Sequence, residues 1–163
     1  MLAKTSSVAL VGTEARLVDV EVQTGASGVP GLSIVGLPTT SVREAAQRVR
    51  SALESSGFTW PSRRMVANLA PGALRKEGTH FDLPIALGIL ENDGRLDEKS
   101  SESWVVVGEL ALDGSIRPVS GVLAAAMACR EEGRRGVICA AVNAPEAALV
   151  TGIEVIAVPS IQD

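Results

Sequence analysis

Residues 69–90 read Leu69-Ala70-Pro71-Gly72-Ala73-Leu74-Arg75-Lys76-Glu77-Gly78-Thr79-His80-Phe81-Asp82-Leu83-Pro84-Ile85-Ala86-Leu87-Gly88-Ile89-Leu90. The stretch leaves an apolar run through Pro71 and Gly72 and bends at Arg75, Lys76, Glu77 and Gly78. It then passes His80, the chain's only histidine, and enters a second apolar run at Asp82-Leu83-Pro84. Pro84 suits a first helical turn, where N–H groups have no intrahelical partner, and Asp82 is placed to cap it, so a helix is predicted from Asp82 to about Glu91. The residues before Pro71, Arg63 to Ala70, read as a strand with two arginines at its mouth. The stretch is therefore a charged loop between two rigid elements, the kind of place where sites concentrate.

Upstream, residues 5–12 read as a strand. Residues 15–24 alternate, with Leu17, Val18, Val20 and Val22 against Asp19, Glu21 and Gln23, as a strand with one wet face does. Gly25 to Gly31 is turn chemistry, and residues 32–36 form another short strand. Ser41-x-x-Glu44 has the form of a capping box, in which the serine hydroxyl takes a first-turn N–H and the glutamate reaches back. Val42, Ala45, Ala46, Val49, Ala52 and Leu53 then recur at helical spacing, with Arg43, Glu44, Gln47, Arg48, Arg50 and Glu54 assigned to the other face and Gly57 as the stop. Glu44–Arg48 and Arg50–Glu54 are i,i+4 pairs.

Downstream, residues 92–103 are polar and read as a surface connection. Val105–Val107 is a buried strand leading into Gly108-Glu109-Leu110. A hairpin turn is predicted at Leu112-Asp113-Gly114-Ser115, with Ser115–Pro118 returning. A helix from Gly121 to about Glu132, a strand at 136–140, a short helix after Asn143-Ala144-Pro145 and a strand at 153–158 complete the series. Pro159 breaks the pattern, and residues 159–163 read as the start of a linker. Strands that both pair antiparallel and cross over through helices imply an α/β sandwich with a mixed sheet and packed helices. At 163 residues, without repeats or low-complexity runs, one domain is expected, over residues 1–158.

Composition narrows the function classes. Hydrophobic residues make up 46% and charged residues 21% of the chain, as in an ordinary globular protein. The aromatics are Phe58, Phe81, Trp60 and Trp104, few faces for stacking on bases. The net charge of −4 is uneven: residues 39–78 hold seven Lys/Arg against three acids, and the rest holds eight bases against sixteen acids. The basic set is Arg43, Arg48, Arg50, Arg63, Arg64, Arg75 and Lys76, a pattern that suits either a solvated face or contact with an anionic partner. Cys129 and Cys139 match neither a metal knuckle nor a redox pair and read as reduced core thiols. No signal peptide and no long apolar run is visible, so a cytoplasmic protein without membrane contact is expected.

A phosphate-binding P-loop is absent: Gly72 to Gly78 has the wrong spacing, and Thr79 stands where the lysine belongs. One histidine cannot build a multi-histidine metal site, so no metal is expected here. His80 beside Asp82 could be an acid–base couple, but at a helix start such residues are more often a cap and a loop hydrogen bond.

Several stretches together resemble one family. They are Gly31-Leu32-Ser33-Ile34-Val35-Gly36-Leu37-Pro38, Val42-Arg43-Glu44, Arg48-Val49-Arg50-Ser51-Ala52, Asn68-Leu69-Ala70-Pro71, Lys76-Glu77-Gly78, Phe81-Asp82-Leu83-Pro84-Ile85-Ala86, Val107 to Gly114 and Arg117-Pro118-Val119. They resemble the N-terminal domain of ComM/YifB-type magnesium chelatase-like AAA+ ATPases over nearly the whole chain. The resemblance implies the fold of the Lon-protease C-terminal domain, shared with ribosomal-protein domain 2. It implies that an AAA+ motor using ATP and Mg follows beyond Asp163, so that this chain is a fragment. It further implies a homohexamer, whose neighbouring subunits and own motor are partners, acting as a DNA branch-migration helicase in natural transformation.

Lon peptidases pair a serine with a lysine that lowers the cost of deprotonating it. By the same resemblance the serine position falls on His80, in Lys76-Glu77-Gly78-Thr79-His80-Phe81-Asp82, and the lysine position falls on Leu123. Leucine activates nothing, so a non-catalytic binding or assembly domain is expected. Arg43, Arg48, Arg50, Arg63, Arg64, Arg75 and Lys76 are candidate phosphate contacts to single-stranded or branched DNA, without sequence specificity. A protein–protein docking domain without nucleic-acid contact is the alternative. A residual Ser/Lys-type peptidase using Thr79 or His80 is a third reading, and metal insertion into porphyrin finds no clustered ligands.

Overall fold

The alternation at 15–24 is realised as β2 (Glu14–Thr24), which pairs antiparallel along its length with β1 (Leu2–Val11) in a computed structural model that describes residues 1–163. Val18, Val20 and Val22 are buried on one face, while Asp19 and Gln23 stand in solvent on the other. β3 (Gly31–Val35) runs parallel to β4 (Arg64–Ala70), and β4 pairs antiparallel with β2. β5 (Trp104–Val106), β8 (Gly136–Ala140) and β9 (Glu154–Val158) extend the other side in parallel. The seven-stranded sheet has the order β3-β4-β2-β1-β5-β8-β9 and is mostly parallel. β6 (Glu109–Leu110) and β7 (Ile116–Arg117) form the predicted hairpin as a separate small sheet.

Helices cover both faces, as alternate residues of one strand require. Val106 joins a core with Val18, Val20, Met65 and Leu69, covered by α2 (Ala45–Ser55) and α3 (Asp82–Asn92). Val105 and Val107 point the other way, into a core with Val137 and Cys139 under α4 (Val122–Glu131) and α5 (Ala144–Ala147). Cys129 and Cys139 are both buried as free thiols, and burial raises both above their ordinary pKa. No helix is long and apolar enough to cross a membrane.

Three local readings are corrected. The capping box at Ser41 does not form: α1 (Thr40–Arg43) is a separate turn before α2, its cap residue Thr39 makes no side-chain cap bond, and the Ser41 hydroxyl meets Thr39 Oγ1 at 3.1 Å. Asp82 does not cap α3, because its buried carboxylate turns inward to the half-buried Arg48. Residues 159–163 do not leave the body as a linker: Ile116 N–H donates to the Pro159 carbonyl at 2.9 Å, Ile161 N–H to Gly114 at 2.9 Å, and Ile161 is buried in the core. The polar connection at 92–103 is tethered by Glu91, which is 2% exposed and accepts from the Ser101 N–H and hydroxyl at 2.9 and 2.6 Å.

Candidate functional site

β4 ends at a cis Ala70–Pro71 peptide, and the loop that follows is stitched back onto the segment after β3. Lys76 N–H donates to the Leu37 carbonyl at 3.2 Å, and Thr39 N–H donates to the Lys76 carbonyl at 3.0 Å. The Lys76 ammonium reaches the Pro71 carbonyl, and the residue is 0% exposed. Burial lowers its pKa. Lys76 is therefore not the exposed charge its sequence context suggests: it braces the bend from inside.

Gly78 follows with φ of 90°, and a Cβ there would stand 3.0 Å from His80 Nδ1. The glycine gives the backbone a left-handed turn and leaves room for the imidazole. His80 is buried, its Nε2 lies 2.6 Å from the Val8 carbonyl, and its ring packs on Phe81 with centroids 4.3 Å apart. A carbonyl only accepts, so Nε2 carries the proton. Desolvation holds the imidazole below its ordinary pKa and keeps it neutral. Thr79 Oγ1 donates to Glu109 Oε2 at 2.7 Å, a carboxylate and not the amine of a Ser/Lys-type dyad. Leu123 is exposed on α4. The His80 and Leu123 positions thus hold an imidazole engaged with the main chain and a hydrocarbon.

His80 and Asp82 do not form a couple. Asp82, 0% exposed, receives Arg48 Nε at 2.7 Å and Nη2 at 3.0 Å, and the Leu110 N–H at 3.1 Å. Arg48 Nη2 also donates to the Ser41 carbonyl at 2.9 Å. Burial pushes the Asp82 carboxyl up to about 6 against the pull of Arg48, and the bond to Asp82 raises Arg48. Arg48 is thereby removed from the solvent face. The i,i+4 pairs both exist, Arg48–Glu44 at 3.7 Å and Arg50–Glu54 at 3.1 Å, but Asp82 is the closer partner of Arg48. A signal for this was present: Arg48 lies three residues after Ala45 and four before Ala52, on the buried stripe itself, where a guanidinium needs a buried acid.

The remaining arginines do not share one face. Arg63 and Arg64 stand at the start of β4, and Arg75 lies beyond its end, about 20 Å away at strand rise. The Pro38 and Lys76 backbones bridge, so Arg75 lies beside the segment that leads into α1. At the other end Arg50 lies over Trp60, 5.8 Å from the ring centroid. Trp60 borders two clefts: one of about 470 Å³ with Arg50, Gln47 and Leu32, and one of about 440 Å³ with Arg63, Thr24 and Ser62. Sequence reading missed Trp60 as part of a site; its signal was an aromatic three residues before paired arginines. A third cleft, of about 460 Å³, runs beside His80 between Leu10, Val11 and Arg75. Nowhere do three His, Cys, Asp or Glu side chains converge as for a metal ion.

Residues 18–143 match the protein family described as subunit ChlI of Mg-chelatase. The chain is 46% identical over 150 residues to the competence protein ComM of Haemophilus influenzae, an alignment covering 92% of this chain and 29% of that protein. It is 41% identical over 150 residues to YifB of Salmonella typhimurium, covering 92% of this chain and 29% of YifB. With YifB of Escherichia coli it shares 42% identity over 144 residues, covering 88% and 28%. The chain thus spans under a third of the length of these relatives.

Proposed function

Because the chain belongs to the ChlI family of Mg-chelatase-like proteins, we propose that it is a non-catalytic binding and assembly domain at the N-terminus of a ComM-type AAA+ motor. The observation that carries this is the state of the Thr79–His80 pair. The hydroxyl donates to Glu109, the imidazole Nε2 is engaged by Val8, and Leu123 stands where a Lon-like fold would need its lysine. The lysine amine that activates the hydroxyl of a Lon-type dyad is thus missing, and a leucine cannot replace it. In this reading the domain has the Lon-like fold, and the longer protein is a homohexamer that drives DNA branch migration. ATP and Mg belong to the motor: the residues of this chain do not fit them, having neither a P-loop nor a cluster of carboxylates.

DNA contact falls to the Arg50–Trp60–Arg63–Arg64 end of the sheet, where guanidinium groups flank an aromatic face. The test is binding of a dT oligonucleotide and a forked duplex at two salt concentrations, by this chain and by the longer protein, with Arg63→Ala/Arg64→Ala as the variant. The salt slope on single strands is expected to fall by about 0.7 for each lost phosphate contact. Unchanged affinity and slope remove these arginines from the interface. Hydrolysis of unfolded protein that Thr79→Ala abolishes would restore the peptidase reading.

Protein docking is the second reading, and one observation favours it. The basic residues are divided between two ends of the sheet, whereas the edge of β3 stands open beside α2.

A further inference from the structure

β3 is the outermost strand of the sheet and pairs only with β4. The Gly31 N–H donates to the Arg63 carbonyl at 3.3 Å, which fixes the phase of the parallel ladder. In such a ladder alternate residues bond one neighbour, so Gly31, Ser33 and Val35 face β4 and the N–H and C=O groups of Leu32 and Ile34 face outward. Free strand edges are normally blunted by a charge, a proline or a bulge. The sequence Gly31-Leu32-Ser33-Ile34-Val35 carries none of these. The residues around it are apolar and unusually bare: Val29 is 85%, Val35 45% and Leu37 54% exposed. Leu37 moreover holds φ at 59°, a left-handed conformation that a bulky side chain rarely adopts and that tends to mark functional segments.

This edge also borders a groove. Gly31 and Leu32 form one side of the 470 Å³ cleft, the outward flank of α2 (Gln47, Arg50, Ser51) forms the other, and Trp60 lies against it. A strand edge facing a helix flank across an open cleft is the geometry in which an extended peptide adds as a further strand. The surroundings also select charge. Arg43, Arg50, Arg63 and Arg64 are exposed near the two ends of β3 and β4, against Glu44 and Glu54. Arg50 lies over Trp60 and pairs with Glu54, an exposed ion pair that an incoming carboxylate can replace.

We propose that the free edge of β3, with the cleft beside α2, accepts an extended acidic segment of a partner protein as an added strand. This rests on reading the domain as a binding module, and it adds the site and the chemistry of the occupant. Main-chain pairing to Leu32 and Ile34 supplies affinity, Trp60 and Leu32 take an apolar side chain, and Arg50 takes a carboxylate.

The test begins with selection from a displayed library of random nonapeptides against this 163-residue chain. Enrichment of acidic, Val/Ile/Thr-rich peptides is expected. A synthetic peptide of the enriched sequence should slow amide hydrogen exchange at Leu32 and Ile34, and N-methylation of alternate peptide nitrogens should abolish binding. Leu32→Pro removes an outward N–H without touching the ladder, and Arg50→Glu, on an exposed helix face, reverses the charge; each should weaken binding about tenfold. No enrichment, or binding without protection at Leu32 and Ile34, overturns the proposal. Protection that rises with protein concentration alone would assign the edge to a second copy, and protection by a dT oligonucleotide would assign it to nucleic acid; either overturns it. Leu32→Pro separates the two readings, because it leaves every arginine in place: loss of peptide binding with oligonucleotide binding intact supports this proposal apart from the DNA contact, and peptide binding that survives Leu32→Pro overturns it.

Discussion

Arg48 on α2 and Asp82 at the start of α3 are joined at two points, 2.7 and 3.0 Å apart, in an ion pair whose carboxylate is entirely inside the protein. The pair locks the two helices that cover one face of the sheet, and through the Leu110 N–H it holds the hairpin as well. Removing one partner leaves a buried charge without compensation. Arg48→Ala is expected to cost about 3–5 kcal/mol. The double variant Arg48→Met/Asp82→Leu should cost less than the sum of the two single changes by about 1 kcal/mol or more. Urea unfolding of the four proteins gives this coupling, and strictly additive losses would mean that the pair does not act as a unit.

The imidazole of His80 carries a second prediction. It is neutral and buried in the folded chain and titrates below the ordinary 6.5. A folded pKa below the unfolded one means that the unfolded chain binds more protons. The stability contributed by His80 is therefore full above pH 6.5 and is lost as pH falls through the folded value. Asp82, raised from 3.8 to about 6, has the opposite sign: its contribution is full below its unfolded value and is lost as pH rises through about 6. The two offset each other in one window, so the histidine must be read on its own. NMR titration of the single imidazole should give a midpoint under 6.5, and wild type should lose stability relative to His80→Gln between pH 7 and pH 5. A midpoint at or above 6.5 would contradict the burial argument.

Helix α3 predicts an inverted glycine effect. Replacing a mid-helix glycine by alanine ordinarily gains about 1 kcal/mol. At Gly88 the added Cβ would stand 2.5 Å from Val22 Cγ2, and Val22 is wholly buried on β2. Gly88→Ala is expected to destabilise by about 1–3 kcal/mol through overpacking. Val22→Ala in the same chain should recover part of the loss, so that the double change costs less than the sum. A stabilised Gly88→Ala protein would show that α3 has room to lift from the sheet.

What the sequence disclosed and what it hid follow a physical division. Period-two and helical patterns report one element against solvent, and they located the strands at 15–24 and 64–70, the helix at 45–55 and the hairpin at 109–117. They say nothing about contacts between residues distant in the chain. Asp82 looked like a helix cap because the acid that caps a helix and the acid that pairs with a buried arginine are the same letter. Lys76 looked exposed because a charged bend normally is; its burial depends on the Pro38 segment, which the chain brings alongside from nearly forty residues upstream. The positions of His80 and Leu123 come only from the resemblance to Lon peptidases, and no local pattern marks them as a pair. The open edge of β3 required the strand order, which no local pattern encodes.

The terminal residues supply the last prediction. Ile161 looks like part of a linker in sequence, but it is 8% exposed and packs into the core. Its N–H donates to the Gly114 carbonyl at 2.9 Å, and Gln162 Nε2 donates to the Ser56 carbonyl at 2.8 Å, so the tail joins the hairpin to the end of α2. A side chain that merely lay on the surface would change stability by no more than about 0.5 kcal/mol when truncated. A core isoleucine cut to alanine costs about 2 kcal/mol or more. Urea unfolding of Ile161→Ala is therefore expected to show the larger loss, with amide exchange quickening at Ile116 and at position 161, whose N–H groups join the hairpin and the tail. A loss within about 0.5 kcal/mol would return residues 159–163 to the linker reading.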